Sequence, residues 1–238
     1  MRPTLIFVPC FSGAPWDLTP FPMLHVWPAL TPSLPAFPRF AQYTDWFRSV
    51  TSSLSTYVLI GDSFGASLAL WWAAQRPSGL LAVVASGGFA VNPLGSTALR
   101  WWIEKGPRLT GWAYTYGVVP FHARILASPF DTTGDHPWTI ADTVRLFRDW
   151  TPAPAYWARA EAACAVDLRP DLPRITVPTL ILTPTDDRLI ATDATTPLMN
   201  IPQARTEILP RTGHLFRFSH PTAYGQAIKR FLTEVLER

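Results

Sequence analysis

The sequence predicts an α/β protein in which a mainly parallel β-sheet is flanked by helices. Along most of the 238 residues, short apolar runs alternate with longer segments whose apolar residues recur at helical spacing. The short runs are apolar at consecutive positions, as in Leu5–Val8, which is typical of strands buried on both faces. A chain of this length can bury a substantial core in one domain that carries an insertion.

Composition narrows the possible functions. Hydrophobic residues make up 48% of the chain and charged residues 16%, which is typical of a folded protein. The net charge of +3 is spread without a basic block, so we expect no nucleic-acid binding. Cys10 and Cys164 form neither a disulfide framework nor a metal motif, and the five histidines do not cluster. We therefore expect no cofactor and no metal.

The beginning of the chain is predicted to be a strand and not a targeting signal. The apolar run that follows Arg2 ends at Pro9, which is too short for the core of a signal peptide. No stretch of the sequence reaches the length of a membrane-spanning helix. We therefore expect a cytoplasmic protein without a membrane partner.

The first elements alternate between strand and helix. Leu5–Val8 ends in a turn at Pro9–Gly13, and Met23–Leu30 is predicted to hold the second strand. Apolar residues of segment 40–54 fall on one helical stripe. Leu80–Ala85 is a further buried strand, closed by two glycines. Because strands and helices alternate in this way, the predicted sheet is parallel.

Between these elements lies a strand, a sharp turn and a buried helix. The strand is Tyr57–Ile60, and the helix runs on until Pro77 stops it. The turn has the pattern G-x-S-x-G with Ser63 at its centre, a nucleophile elbow. Gly61 and Gly65 are needed because a Cβ at either position would collide with the neighbouring strand or helix. The alternative is a glycine-rich turn with a solvated serine.

The character of the chain changes in segment 91–167. It is rich in tryptophan and tyrosine, and its apolar spacing around residues 140–147 indicates at least one helix. We expect a helical cap here, with residues 1–90 and 168–238 forming the core. Individually, its aromatic side chains are better explained by packing, but together they suggest an apolar substrate pocket. The predicted substrate-binding residues are Trp101, Trp112, Tyr116 and Trp150.

Regular alternation resumes after this segment. Strands are predicted at Thr179–Thr183 and Thr206–Leu209, and the last helix begins near Ser219–Pro221 with a polar cap and a proline in its first turn. Reactive groups of parallel sheets lie on loops beyond the carboxyl ends of the strands. The loops after these two strands are therefore where partners for a nucleophile are expected.

Those loops supply the residues that a serine nucleophile needs. A serine hydroxyl requires a base that takes its proton and an acid that orients the base. His214 follows the later strand and is the candidate base, with a surface histidine as the alternative. Asp186 and Asp187 both follow the earlier strand, and the loop alone does not rank them. The oxyanion donors are expected to be the backbone N–H groups of Phe64 and Phe11.

Nearly the whole chain resembles the α/β-hydrolase fold. The resemblance is carried by Leu5–Gly13, by the elbow Gly61–Gly65, by Val177–Ile190 and by Gly213–Pro221. It implies that the acid is Asp187, that a helical cap lies between the sixth and seventh strands of the fold, and that the N-terminal hairpin of the fold is missing. The oxyanion turn departs from the usual His-Gly, because it reads Pro-Cys.

The segment Val166–Leu182 and the histidine loop resemble small bacterial carboxylesterases, including pimeloyl-acyl-carrier-protein methyl ester esterases. The resemblance implies a serine esterase that acts through an acyl-enzyme with Ser63, His214 and Asp187. Thioester, amide and C–C bond hydrolysis use the same residues and stay open as alternatives, as does a non-catalytic binding protein. The expected partner is a small-molecule ester. The basic residues of the cap could receive an acidic acyl carrier protein that carries this ester, or a substrate carboxylate, and the favoured alternative is that they form a solvated helix face. Those basic residues are Arg100, Arg108, Arg124, Arg145, Arg148 and Arg159.

Overall fold

The computed structural model of the chain describes residues 2–236. Within them, one six-stranded sheet has the order β2-β1-β3-β4-β5-β6, and all of its neighbouring strands are parallel. This confirms the predicted fold class. The strands are β1 (Thr4–Val8), β2 (Ala29–Leu30), β3 (Tyr57–Asp62), β4 (Leu80–Ser86), β5 (Thr179–Asp186) and β6 (Ala204–Gly213).

Helices cover both faces of this sheet. The α-helices are α1 (Thr44–Thr51), α2 (Phe64–Ala74), α3 (Thr97–Lys105), α4 (Gly111–Ala113), α5 (Val119–Leu126), α6 (Ile140–Trp150), α7 (Ala153–Ala165), α8 (Thr192–Thr195), α9 (Phe216–Ser219) and α10 (Pro221–Leu236). Short 3₁₀ turns occur at Pro22–Leu24, Phe40–Tyr43, Pro129–Thr132, Leu172–Arg174 and Thr196–Asn200, and a π-turn at Tyr114–Val118 joins α4 to α5. None of the helices in residues 2–236 is both long and apolar enough to cross a bilayer.

The consecutive apolar residues of the strands are explained by burial on two sides. In β1, Leu5 and Phe7 belong to the core under α10, whereas Ile6 and Val8 belong to the core under α2. Side chains alternate between the faces of a strand, so a strand covered on both faces needs an apolar residue at every position. This confirms the interpretation of the apolar runs as buried strands.

The second strand lies within the predicted run, but it is short. Of Met23–Leu30, only Ala29–Leu30 pairs with β1, and Pro22–Leu24 is a 3₁₀ turn. Met23 packs against α10, where its sulfur fills the space that a side chain at Gly225 would need. Pro28, near the end of the predicted run, also lacks an N–H group that could donate to a neighbouring strand. Leu24 and Trp27 pack against the core from a loop, and only Ala29–Leu30 extends the sheet.

Segment 91–167 lies between β4 and β5 and contains α3 to α7; we call it the insertion. An antiparallel bridge between Val91 and Asp167 joins its two ends at the sheet. The inner side chains of the insertion form a cluster of their own with Leu215, which follows β6. The insertion therefore packs over the carboxyl end of the sheet, where the elbow turn also lies.

Candidate active site

Ser63 sits on a strained turn between β3 and α2. Its backbone has φ 55° and ψ −117°, a combination that costs a non-glycine residue roughly 1–3 kcal/mol. A Cβ at Gly61 would overlap the backbone of α2, and one at Gly65 would overlap the carbonyl groups of Val8 and Pro9. The glycines are therefore required by close backbone approach, and Gly65 in particular lets β1 and its following turn lie beside the elbow.

The structure brings Ser63, His214 and Asp187 together in one hydrogen-bonded chain. His214 Nε2 lies 2.9 Å from Ser63 Oγ, and His214 Nδ1 lies 2.7 Å from Asp187 Oδ2. Because a carboxylate only accepts, Nδ1 carries the hydrogen and Nε2 accepts from the serine hydroxyl. This is the tautomer in which a histidine can take a proton from serine.

Burial and charge set the protonation of this pair. Burial alone would lower the pKa of His214, but Asp187, and more weakly Asp62 and Asp131, raise it above its ordinary value. Burial alone would raise the pKa of Asp187, but His214 and the N–H groups that follow Asp187 hold it below its ordinary value. Asp187 is thus ionised beside an imidazole that gains a proton readily.

Local hydrogen bonds explain why Asp187, and not its neighbour, reaches the histidine. Asp187 Oδ1 accepts from the N–H groups of Leu189 and Ile190 at 3.0 and 2.8 Å, which leaves Oδ2 for His214. Asp186 instead accepts from Ser128 Oγ at 2.6 Å and from Arg188 Nε at 3.1 Å. The turn that Asp187 makes with the following backbone therefore aims its carboxylate at His214.

The turn after β1 lies against the elbow. The N–H of Gly13 donates to the carbonyl of Cys10 at 2.9 Å, which closes the turn with Phe11 at its second position. Within residues 2–236, no acceptor bonds to the backbone N–H of Phe11 or to that of Phe64. Phe11 and Phe64 line the same cavity as Ser63. Two N–H groups without acceptors beside a serine are what an oxyanion site requires.

A buried cation from the insertion holds this turn. Arg159 on α7 is 3% exposed, and its guanidinium donates to four carbonyl groups. The acceptors are the carbonyls of Phe11 and Ser12 at 3.0 Å each, Leu34 at 2.6 Å and Pro35 at 3.4 Å. A buried charge without a carboxylate partner needs such a set of acceptors. The turn that reads Pro-Cys instead of His-Gly is thus fixed from the insertion.

A second buried cation joins the elbow to the histidine loop. Arg217 Nε donates to Asp62 Oδ2 at 2.8 Å, and both side chains are buried. The guanidinium also lies 4.1 Å from the ring centre of Trp16 and 3.8 Å from that of Phe218. Asp62 directly precedes Ser63, so this ion pair fixes the elbow against the loop that carries His214.

Ser63 opens into a cavity between the sheet and the insertion. Among residues 2–236, no lysine or arginine lines it. Its apolar walls include Phe89, Leu94, Ile103, Leu126, Leu146, Phe147, Ala160, Ile190, Leu215 and Phe218.

The predicted substrate-binding residues do not line this cavity. Trp101, Trp112, Tyr116 and Trp150 are between 46% and 77% exposed and lie on the outer surface of the insertion. The physical reason is helical phase, because other aromatic residues of the same helices face inward, among them Phe147 on α6. That assignment was therefore wrong.

The arginines of the insertion do not form one basic face. Arg159 is buried under the turn after β1. The prediction that it contributes to a basic surface of the insertion is therefore wrong. Arg108 pairs with Glu161 at 2.5 Å, and Arg145 pairs with Asp142. Neighbouring carboxylates therefore neutralise part of the positive charge of the arginines that were predicted to receive an acidic carrier protein.

The sequence pattern of the alpha/beta hydrolase family matches residues 5–227. The chain belongs to this family. A protein described as a carbamate hydrolase, RutD of Stutzerimonas stutzeri (strain A1501), is 33% identical over 105 residues. That match covers 41% of this chain and 40% of RutD, so it spans less than half of either protein.

Solved structures of very different hydrolases share the fold of this alpha/beta hydrolase. The enol-lactonase from Burkholderia xenovorans LB400 is 18% identical with a TM-score of 0.79, covering 98% of this chain and 92% of that one. A thermophilic esterase from Thermogutta terrifontis is 20% identical with a TM-score of 0.71, covering 99% and 90%. The 2-hydroxy-6-oxo-6-phenylhexa-2,4-dienoate hydrolase from Rhodococcus sp. strain RHA1 is 13% identical with a TM-score of 0.71, covering 97% and 90%. At these identities the likeness shows the fold alone.

Three residues of this alpha/beta hydrolase site were missed from the sequence. Arg159 and Arg217 fix the two loops, and His122 lines the cavity from the insertion. One signal was available: Asp62 lies within a buried strand, and a buried carboxylate requires a cation. His25, His136 and His220 do not line the cavity that holds Ser63. Among residues 2–236, no three His, Cys, Asp or Glu side chains are grouped to hold a metal.

Proposed function

We propose that this alpha/beta hydrolase is a serine carboxylesterase that hydrolyses small, uncharged carboxylic esters. The observation that carries the proposal is the hydrogen-bonded chain from Ser63 through His214 to Asp187 at the floor of an apolar cavity. A serine with a correctly oriented base is a nucleophile for acyl groups. The esterase from Thermogutta terrifontis shares the fold, and the resemblance to pimeloyl-carrier methyl esterases suggests a methyl ester at the end of an uncharged chain.

In the proposed reaction, His214 Nε2 takes the proton of Ser63 as Oγ attacks the ester carbonyl. The N–H groups of Phe11 and Phe64 bind the negative oxygen, each donor lowering the barrier by about 3–4 kcal/mol. His214 then gives its proton to the leaving alcohol, and Asp187 stabilises the imidazolium in between. A water molecule, activated by His214, attacks the acyl-enzyme and restores Ser63.

The cavity walls favour an uncharged substrate. A carboxylate placed among these apolar side chains would find no lysine or arginine among the lining residues of 2–236. Burying an unpaired charge costs several kcal/mol, which is large against the binding energy of a small ester. The match to RutD makes a carbamate the second candidate, because its carbonyl would meet the same nucleophile.

A panel of substrates tests the proposal. We expect kcat/KM for p-nitrophenyl hexanoate to exceed that for mono-p-nitrophenyl adipate, which ends in a carboxylate, on the order of 100-fold. Hexanoyl anilide, a hexanoyl thioester and a p-nitrophenyl alkylcarbamate should all be slower than the hexanoate. Stopped assays with purified protein measure each. Faster turnover of the carbamate or the anilide than of the ester would contradict the proposal.

The raised pKa of His214 determines how kcat/KM depends on pH. Because the base must be neutral, kcat/KM should rise with pH, with a midpoint above the ordinary histidine value of 6.5. Asp187→Asn removes the nearest negative charge and should move the midpoint down while lowering kcat. Initial rates on p-nitrophenyl hexanoate between pH 5 and pH 9 measure both. A wild-type midpoint below 6.5, or one that Asp187→Asn leaves in place, would contradict this assignment.

A further inference from the structure

The insertion places a second histidine in the wall of the cavity that holds Ser63. His122 on α5 lines this cavity and takes no part in the hydrogen-bonded chain to Asp187. Its ring centre lies 5.3 Å from that of Phe11 and 5.0 Å from that of Phe147. Phe11 and His122 line the same cavity as Ser63, so His122 lies beside the space where a bound substrate would extend.

The hydroxyl of Tyr156 fixes the hydrogen of this imidazole. His122 Nδ1 lies 2.9 Å from Tyr156 Oη. Tyr156 is 5% exposed, and within residues 2–236 its hydroxyl has no other hydrogen-bond partner. Its hydrogen is satisfied only if the hydroxyl donates to Nδ1, since a buried donor without an acceptor is costly. Nδ1 then accepts, and the ring hydrogen of His122 is on Nε2.

The Nε2–H of His122 has no hydrogen-bond partner among residues 2–236. Within residues 2–236, every fully buried side-chain nitrogen or oxygen has a hydrogen-bond partner. His122 Nε2 has none, so it is not fully buried, and the cavity is the space that this side chain borders. Burial, helped by the nearby His214, lowers the pKa of His122 to about 3, so the imidazole is neutral at physiological pH.

A neutral donor in an apolar wall selects a particular kind of ligand. Most of the rest of the wall is apolar, and among the described residues no lysine or arginine lines it. A carbonyl or ether oxygen can accept from Nε2–H without carrying charge. A plain alkyl chain would bury the N–H without a partner, which a site built around a hydrogen bond discriminates against.

We propose that His122 is a substrate-binding residue that donates from Nε2 to a carbonyl or ether oxygen in the acyl chain of an uncharged ester. The proposed substrates are thus narrowed from esters of plain alkyl acids to esters whose acyl chain carries a further carbonyl or ether oxygen, such as keto esters and neutral diesters. This rests on the proposed function for its substrate class. The binding subsite itself is a property of the cavity and can be measured without turnover.

The experiment compares matched esters in wild-type protein, His122→Phe and His122→Gln. The pairs are p-nitrophenyl 4-oxopentanoate and pentanoate, 5-oxohexanoate and hexanoate, and 6-oxoheptanoate and heptanoate. For at least one chain length we expect the ratio of kcat/KM, keto over plain, to fall about 2- to 10-fold in His122→Phe, the range expected for one neutral hydrogen bond. His122→Gln places an amide N–H near the same point and should keep part of the preference.

Two outcomes would overturn the proposal. One is a keto-over-plain ratio of kcat/KM that stays unchanged in His122→Phe at every chain length. The other is an equal fall of this ratio in His122→Phe and His122→Gln, because the shape of the side chain and not its N–H would then explain the preference for the keto ester. A binding measurement separates the proposed esterase function from the proposed role of His122. Ligand-observed NMR measures how methyl 5-oxohexanoate and methyl hexanoate bind to Ser63→Ala and to Ser63→Ala/His122→Phe. If wild-type protein hydrolyses no ester, the proposed function fails, while the keto preference in binding still decides the role of His122.

Discussion

Replacing Ser63 with alanine is expected to abolish hydrolysis of p-nitrophenyl hexanoate while the protein stays folded. Members of such a triad act as a unit, so we expect kcat to fall about 10³-fold to 10⁶-fold. Only the contact of 2.9 Å to His214 is lost, in a site that otherwise keeps its packing. Initial rates and thermal unfolding of the purified variant measure both effects.

Backbone strain gives this prediction a second, independent readout. With φ at 55°, Ser63 occupies a region that glycine adopts without steric cost, so Ser63→Gly should release part of about 1–3 kcal/mol. We expect Ser63→Gly to be as inactive as Ser63→Ala but to unfold a few degrees higher. A fluorophosphonate probe should label the wild type at Ser63 and neither variant.

A control serine separates a local effect from a general one. Ser52, at the exposed end of α1, is far from the cavity, and Ser52→Ala should match the wild type in rate and labelling. Wild-type turnover by Ser63→Ala would contradict the nucleophile assignment. Failure of folded wild-type protein to react with the probe would favour a binding protein on the same fold.

Local patterns predicted the parts of this molecule that depend on local geometry. The elbow could be identified because five consecutive residues dictate the turn, and the chain order of Ser63, Asp187 and His214 follows from loops at one edge of the sheet. The choice between Asp186 and Asp187 could not be made locally. It depends on hydrogen bonds to the backbone after the aspartate and on Ser128, which comes from the insertion. The catalytic roles of Ser63, Asp187 and His214 stay a prediction.

Contacts between distant segments account for what the sequence did not show. Tryptophans of the insertion suggested a pocket, yet helical phase turned Trp112 outward and Tyr156 inward. Arg159 was recognisable as a cation on a helix, but its acceptors lie more than 120 residues away in two loops. Such partners become visible only when the insertion is placed on the sheet.

Replacing Arg159 with methionine is expected to impair both stability and catalysis. Methionine keeps much of the side-chain volume but leaves four carbonyl groups without their donor. Hydrogen bonds to charged groups contribute about 1.5–3 kcal/mol each, so we expect the free energy of unfolding to fall by about 3 kcal/mol or more. Denaturant unfolding measures this loss.

The effect on the rate should be specific, because two of those carbonyls belong to Phe11 and Ser12 in the oxyanion turn. Losing one oxyanion donor costs about 10²–10³ in kcat. A displaced donor should cost less, so we expect kcat to fall about 10-fold to 100-fold with a smaller change in KM. Arg159→Lys keeps the charge and some donors, and it should recover part of the rate.

Matched variants distinguish this positioning role from a general loss of stability. Arg124→Met removes an exposed arginine from α5 of the same insertion and should leave kcat and unfolding unchanged. If Arg159→Met stays folded and keeps wild-type kcat, the turn does not depend on the cation. If KM rises while kcat is constant, Arg159 acts through substrate binding. The expected pattern, a fall in kcat that Arg159→Lys partly reverses, would mean that in this chain the insertion supplies the support for an oxyanion turn that lacks His-Gly.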